Sequence, residues 1–264
     1  MFRRQQRGQE RSCVGWRHAD ANSGAGKKGN KDTRRGTLQV QTVTYNIGMN
    51  CLSNATGCEG AMEVESIFRI LDERYRRTRD PGIRPDEVTY GVVLHALARA
   101  GMAHEAEGIL DILEDESQRG SRELNNNDAA AVVPSLTIYN TVLNAWANSH
   151  SRDAPARAES LIERMRILSS TGRNPNAEPD SISLSSVISC HARSKTRRGA
   201  ERGERLLNEA IDMYTKGNSR VKPDSIMYNC AIMGWTNVMA LRMSNKVFHD
   251  MTYPPKVQKH YFVE

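Results

Sequence analysis

Three asparagines occupy equivalent places along this 264-residue chain, each directly after a tyrosine inside an apolar segment. They are Asn46, Asn140 and Asn229. Asparagine is a poor residue for a helix interior, because its amide competes for backbone hydrogen bonds. The same amide both donates and accepts, so packing would not select it but recognition of a base edge would. We interpret these three asparagines as candidates for recognition of a nucleic-acid base.

A second polar column follows a proline at four points, and each of its members precedes an apolar segment by a few residues. These points are Pro85-Asp86, Pro134-Ser135, Pro179-Asp180 and Pro223-Asp224. Proline cannot continue a preceding helix, and Asp or Ser is favoured as the N-cap of the next one. A capping role and a binding role for Asp86, Ser135, Asp180 and Asp224 both stay open at this point.

Residues that usually carry catalysis or bind metals show no recognisable arrangement. The five cysteines are odd in number and lack a CxxC pair, and the seven histidines lack an HExxH motif. The run SGAGKK at 23–28 lacks the spacing of a phosphate-binding loop. No apolar run approaches the ~18 residues that a membrane helix needs. We therefore expect a protein without enzymatic activity, cofactor, metal or membrane span.

Internal repetition organises the chain from about residue 42. The anchors of the aligned segments are Tyr45, Tyr90, Tyr139, Leu184 and Tyr228, spaced 44 to 49 residues apart. Apolar residues recur four positions after each anchor, mostly large residues seven after, and small residues eight after. This is the stripe of one helix face. His191 falls in the large column, where a core or interface histidine is expected.

A second helical stripe follows the first in every unit, for example Ala158, Leu161, Ile162 and Met165. The unit is therefore helix, turn, helix, loop, and stacked units bury a continuous core. The fold class predicted is all-α: an α-solenoid of four full units and one partial unit. Extra loop is expected at 117–133, 169–176 and 196–203, and the acids at 111–116 are interpreted as a solvated helix face.

The segment GIRPDEVTYGVVLHALARAGMAHEAEGIL, from Gly82 to Leu110, resembles the pentatricopeptide repeat family. PSLTIYNTVLNAWANS and VKPDSIMYNCAIMGW are similar to the same repeat, and the resemblance covers roughly residues 42 to 251. It implies an RNA-binding solenoid that reads single-stranded RNA at one base per repeat. The unit length here exceeds that of the family.

The resemblance also implies which residues contact RNA. In the family, the residue after the tyrosine and the last residue of the repeat read the base edge together. The first of these sets comprises Asn46, Gly91, Asn140, Ser185 and Asn229, and the second comprises Asp86, Ser135, Asp180 and Asp224. A third position, two residues before the tyrosine, sandwiches the base. It is filled by Val43, Val88, Thr137, Ile182 and Ile226, all of them β-branched.

Charge divides the chain unevenly. Residues 1–36 hold ten Lys/Arg against three acids, a net +7 in a chain of net +6, so residues 37–264 carry −1. We interpret residues 1–41 as a disordered basic tail, 42–253 as the solenoid and 254–264 as a C-terminal tail. The arginine-rich start is typical either of an organelle-targeting segment or of a solvated tail without an address. Taken together with the resemblance, the arginine-rich start favours a location in a mitochondrion or plastid. If this segment has no targeting role, we expect the protein in the cytoplasm.

A protein-binding scaffold is the rival interpretation, because α-solenoids also bind peptides. The near-neutral charge of residues 37–264 favours the scaffold, since much of the affinity for RNA usually comes from Lys and Arg side chains that neutralise its phosphates. The recurrence of Asn and Asp in register favours single-stranded RNA as the partner, and the resemblance implies other RNA-processing proteins as further partners.

Overall fold

The computed structural model describes residues 41–54, 57–122 and 132–252. The predictions for the tail at 1–41 and for 254–264 lie outside these residues, apart from Gln41. Ten α-helices fill the described ranges. They are α1 (Thr42–Ser53), α2 (Cys58–Thr78), α3 (Glu87–Ala100), α4 (Ala103–Arg122), α5 (Leu136–Asn148), α6 (Ala154–Ser170), α7 (Ser181–Arg193), α8 (Arg197–Thr215), α9 (Ser225–Asn237) and α10 (Leu241–Thr252).

The helices form five successive pairs, and the predicted all-α solenoid is confirmed. The odd-numbered helices each pack against the neighbouring odd-numbered helix, and we call them the first-helix layer. The even-numbered helices pack against their own first helix and that of the next pair. The last pair is the shortened one, because α10 has 12 residues whereas α2 has 21.

The repeated apolar columns build one continuous core. The anchors Tyr90, Tyr139 and Leu184 are buried, while Tyr45 and Tyr228 of the terminal pairs are half-buried. Trp146, seven residues after its anchor, is fully buried, and the ring of His104 meets it edge-on at 4.7 Å. Stacking of the repeats requires burial of this i, i+4, i+7 stripe along one face of the first helices.

The linkers that lead into α3, α7 and α9 each contain a short 3-10 turn. The last residue of each turn is apolar and buried: Ile83, Ala177 and Val221. Hydroxyls from the preceding repeat bind these linkers. Thr42 Oγ1 donates to the carbonyl of Arg84 at 2.8 Å, and Ser181 Oγ donates to that of Lys222 at 2.9 Å. The start of one first helix is thereby tied to the approach of the next.

Two kinds of expectation from the sequence are wrong, the placement of extra loop and the exposure of the acids. Residues 117–122, which were expected in a loop, continue α4. Residues 197–203 are not loop but the first turns of α8, which Thr196 caps by accepting the N–H of Gly199 at 3.0 Å. A Cβ at Gly199 would lie 2.7 Å from the carbonyl oxygen of His191, so this glycine permits close packing. The second error concerns Glu114, which is buried rather than solvated, because it pairs with Arg164 and accepts the Tyr139 hydroxyl at 2.8 Å.

Among the described helices, none combines the length and apolar character needed to cross a membrane.

Candidate nucleic-acid interface

An exposed row of β-branched side chains runs along the starts of the first helices. Val43, Val88, Ile182 and Ile226 are each 58 to 61% exposed, and Thr137 is exposed as well. Isolated exposed apolar residues are ordinary, but here one is presented by every repeat at the same register. The row lies two residues before the anchors, so its members flank the polar residues that follow each anchor.

Asn46 and Asn140 each contact the first helix of the next repeat. Asn46 Nδ2 lies 3.2 Å from Oδ1 of Asp86, and Asn140 Nδ2 lies 3.2 Å from Oδ1 of Asp180. Both asparagines are half-buried. The two residue columns that the sequence singles out thus meet at the junction between repeats, in two places with the same geometry.

A hydroxyl completes each of these junctions. Thr89 Oγ1 lies 2.8 Å from Asn46 Oδ1, and Ser183 Oγ lies 2.6 Å from Asn140 Oδ1. Each hydroxyl also contacts the carboxylate of its own helix cap, at 2.7 Å for Asp86 and 3.0 Å for Asp180. We call each set of asparagine, aspartate and hydroxyl a junction triad. The hydroxyl position was not predicted, although Thr or Ser one residue before the anchor is visible in the sequence.

The aspartates also cap their helices, as the alternative interpretation required. Asp86, Asp180 and Asp224 accept backbone N–H groups three residues on, at 2.8, 2.9 and 2.9 Å. Burial raises the pKa of Asp86, but hydrogen bonds from Thr89 and Asn46 outweigh it and hold that pKa below its ordinary value. Asp86 is therefore an ionised acceptor at neutral pH, and capping and pairing coexist in one carboxylate.

Other predicted pairs are not joined in this way. Gly91 has no side chain to reach Ser135, whose buried Oγ has no hydrogen-bond partner within the described structure. Ser185 is buried and donates to the carbonyl of Ile182 at 3.0 Å, within its own helix. Asn229 is exposed on α9, the first helix of the last pair.

Comparison with known proteins shows what this arrangement resembles. A chloroplastic pentatricopeptide repeat-containing protein of Arabidopsis thaliana is 27% identical over 187 residues, and pentatricopeptide repeat-containing protein 10 of Zea mays, also chloroplastic, is 31% identical over 139. The crystal structure of the maize protein PPR10 aligns with a TM-score of 0.50 at 20% identity, over 83% of this chain and 25% of that chain. No protein-family model matches the chain.

The chain is an α-solenoid of pentatricopeptide-like repeats. The alignments cover 70% and 53% of this chain but only 20% and 14% of the Arabidopsis and maize relatives. The chain thus spans a small part of the length of these relatives. A crystal structure of PPR10 in complex with an 18-nt psaJ RNA element is also known, and this chain aligns with the protein in that complex with a TM-score of 0.37.

One feature of these pentatricopeptide-like repeats was missed from the sequence. Nine residues after each of the last four anchors, a polar side chain donates to a carbonyl at the end of the preceding first helix. The four contacts are Arg99 to Ser53 at 3.3 Å, Asn148 to Ala98 at 3.4 Å, Arg193 to Ala147 at 2.8 Å and Asn237 to Ala192 at 3.0 Å. Helix ends leave carbonyls unsatisfied, and these donors supply partners. A polar residue recurring nine after the anchor was the available signal.

Proposed function

We propose that this chain binds single-stranded RNA in a sequence-specific manner, with one base facing each repeat. The mechanism is recognition without a chemical step. The observation that carries the proposal is the repetition, in register, of an exposed β-branched residue beside an Asn–Asp junction. At the first repeat, Val43 offers an apolar face to a base ring, and Asn46 keeps one amide proton and one oxygen lone pair for the base edge.

The family pattern assigns a base to each complete pair. Asn with Asp favours uridine, so Asn46/Asp86 and Asn140/Asp180 each select U. Ser185/Asp224 selects G on the same pattern. Gly91/Ser135 has no side chain at the first position and selects nothing. With the 5′ end of the RNA at the first repeat, the core site is U-N-U-G, followed by a pyrimidine if Asn229 contributes.

The charge of the solenoid sets the expected affinity. Residues 37–264 carry a net charge of only −1, so phosphate neutralisation contributes little beyond the basic tail. Each base contact is worth about 1–3 kcal/mol, and ordering of the RNA offsets part of that gain. We expect micromolar affinity at best, with discrimination between bases at defined positions.

The test is a substitution that alters base choice at one position. Asn140→Ser in the full chain should move the preference at the third position from U toward G, with the thermal midpoint nearly unchanged. Asn144→Ser is the matched control, because Asn144 is exposed on the same helix but lies outside the Asn–Asp column. The competing oligomers have equal length and so carry equal phosphate charge. Nonspecific binding by the basic tail is therefore the same for each oligomer and does not affect the measured base preference.

A scaffold that binds a peptide is the second candidate, favoured by the near-neutral charge of the body. It is distinguished by a pulldown from nuclease-treated extract beside the RNA gel shift. Loss of stability in Asn140→Ser without a change of base preference would support the scaffold. So would failure to bind any RNA at millimolar concentration in low salt.

An organelle is the proposed site of action, and plastids in particular, because both curated relatives are described as chloroplastic. The proposed role is protection or processing of a transcript, with other RNA-processing proteins as partners. A fluorescent fusion to the C-terminus of the full chain should co-localise with plastids. Localisation to the cytosol would contradict this part of the proposal.

A further inference from the structure

The orientation of the Asn46 and Asn140 amides is determined by their partners. An ionised carboxylate only accepts hydrogen bonds, so the amide atom that contacts Asp86 must be the nitrogen, at 3.2 Å. The amide oxygen then faces the Thr89 hydroxyl at 2.8 Å. The same reasoning places Asn140 with nitrogen toward Asp180 and oxygen toward Ser183, at 2.6 Å. Each amide is therefore held at both of its polar atoms.

Among the four junctions that the structure describes, the hydroxyl is present only at the two that contain an asparagine. The residue one before the anchor is Thr89 opposite Asn46 and Ser183 opposite Asn140. Opposite Gly91 that residue is Ile138, and opposite Ser185 it is Met227, both buried apolar side chains. Both hydroxyls also complete capping boxes, because each accepts the backbone N–H of its own N-cap aspartate at 3.2 Å. An aspartate cap does not require such a hydroxyl, however, since Asp224 caps α9 with Met227 in the equivalent position.

We propose that Thr89 and Ser183 are positioning residues, which fix the orientation of the Asn46 and Asn140 amides and thereby select uracil over cytosine. This inference rests on the proposed RNA-binding function. Neither hydroxyl touches the base. Each acts through the neighbouring asparagine, from the repeat that follows it.

Base chemistry explains why amide orientation matters for this choice. Uracil carries a donor at N3 and an acceptor at O4, whereas cytosine carries an acceptor at N3 and a donor at N4. Rotation of the amide by half a turn exchanges its donor and acceptor, and so exchanges the pyrimidine that it suits. The aspartate and the hydroxyl both oppose that rotation, and removal of the hydroxyl leaves one restraint in place of two.

The single hydroxyl proton is shared in each triad. Thr89 Oγ1 is 2.8 Å from the Asn46 oxygen and 2.7 Å from an Asp86 oxygen, so two acceptors compete for one proton. In the second triad the contact to Asn140 is the shorter one, at 2.6 Å against 3.0 Å for Asp180. Ser183 is therefore the better position for the experiment.

The experiment compares the full chain with its Ser183→Ala and Ser183→Thr variants, using short RNA oligomers that carry U-A-U-G or U-A-C-G. The preference for U over C at the third position should fall by roughly threefold to tenfold in Ser183→Ala, the change expected for one lost hydrogen bond. It should be retained in Ser183→Thr. The same preference at the first position, tested with C-A-U-G, should be unchanged in both variants.

A matched control separates positioning from helix capping. Thr196→Ala removes a hydroxyl cap from the even-numbered helix α8, and should weaken stability without altering base preference. All titrations are run well below the thermal midpoint of the least stable variant. A Ser183→Ala protein that keeps its full preference for U at the third position overturns the proposal.

A readout without RNA separates this proposal from the proposed function. Hydrogen exchange of the Asn140 side-chain amide, followed by NMR, should accelerate about threefold or more in Ser183→Ala, with Asn46 unchanged. If no RNA binds the wild-type chain, the proposed function fails and the exchange rate still tests the positioning. Equal exchange at Asn140 in the wild type and in Ser183→Ala overturns the positioning role.

Discussion

Arg193 Nη1 donates to the backbone carbonyl of Ala147 across 2.8 Å, and so joins the ends of two consecutive first helices. The same nitrogen lies 3.2 Å from the side-chain oxygen of Asn148, which itself reaches back to Ala98 in the repeat before. Ala147 is almost fully buried, so water is a poor substitute for the arginine. These contacts link three repeats along one edge of the first-helix layer.

Arg193→Ala should therefore destabilise the chain by about 1–2 kcal/mol, the cost of leaving a buried carbonyl without its donor. Arg197→Ala is the matched control, because Arg197 is highly exposed and, among the residues that the structure describes, pairs only with Glu201 in its own helix. A surface pair of this kind is usually worth under ~1 kcal/mol. Urea unfolding measured by circular dichroism compares the two variants. Equal losses would show that the contact to Ala147 contributes nothing.

Trp146→Ala should cost about 3–5 kcal/mol, because truncation of this fully buried side chain leaves a cavity in the core. The indole nitrogen has no hydrogen-bond partner within the described structure, so Trp146→Phe should cost much less than the alanine variant. Both are measured by urea unfolding. A loss below ~1 kcal/mol in Trp146→Ala would contradict the burial of this column.

The stability of the chain should fall as the pH falls below about 6.5, in part through His191. Burial lowers the pKa of His191, and Arg202 and Arg205 act in the same direction, against the opposing contact of Glu159 at 2.7 Å. Below its unfolded pKa the unfolded chain binds a proton that the folded chain resists, so stability rises with pH across this interval. The loss is complete below the folded pKa.

His191→Gln should flatten this dependence, since glutamine does not titrate. His95→Gln is the control, because His95 is exposed on α3. Thermal midpoints measured between pH 5 and 7.5 compare the three proteins. A wild-type profile that is flat over this interval, or a slope that His191→Gln leaves intact, would contradict the assignment.

The double variant Gly91→Asn/Ser135→Asp should create a base-reading pair at the second repeat. A Cβ at Gly91 meets no atom within 4 Å, so a side chain fits there. Replacement of a helical glycine should also raise stability, by up to about 1 kcal/mol. Titration with U-U-U-G and U-A-U-G oligomers should show a new preference for U. Gly91→Ala should raise stability alone, and an equal effect of both variants on RNA would count against the Asn–Asp pairing.

The repeated helices were predictable because their signals are local and recur five times. The anchors, the apolar columns and the caps at Asp86, Asp180 and Asp224 each follow from helix periodicity or helix-end chemistry. One repeat with an ambiguous pattern, such as that of Leu184, is resolved by its neighbours. Stacking then follows because no unit buries both of its faces alone.

Contacts between repeats were harder to predict, because residues some 40 positions apart create them. An N-cap and a partner for asparagine favour the same residue type, so the sequence could not separate the two roles that Asp86 combines. Glu114 looked solvated because its partners, Tyr139 and Arg164, are 25 and 50 residues away. Residues 196–203 were assigned to extra loop because the unit is long, whereas Gly199 and Gly203 lie in α8 and permit it to approach α7.

The junction between the second and third repeats combines two features of its first-helix layer that no other described junction combines. It lacks an Asn–Asp contact, as the last junction also does, and its carbonyl contact, from Asn148, is the longest of the four at 3.4 Å. On the side of the even-numbered helices the same junction is held by two ion pairs, because Arg164 joins α6 to both Asp111 and Glu114 of α4. We therefore expect this joint to be more compliant on its first-helix side than on the side of the even-numbered helices. Bending there would change the distance between the two repeats proposed to select uracil, those of Asn46 and Asn140, and so determine the spacing of bases that the solenoid tolerates.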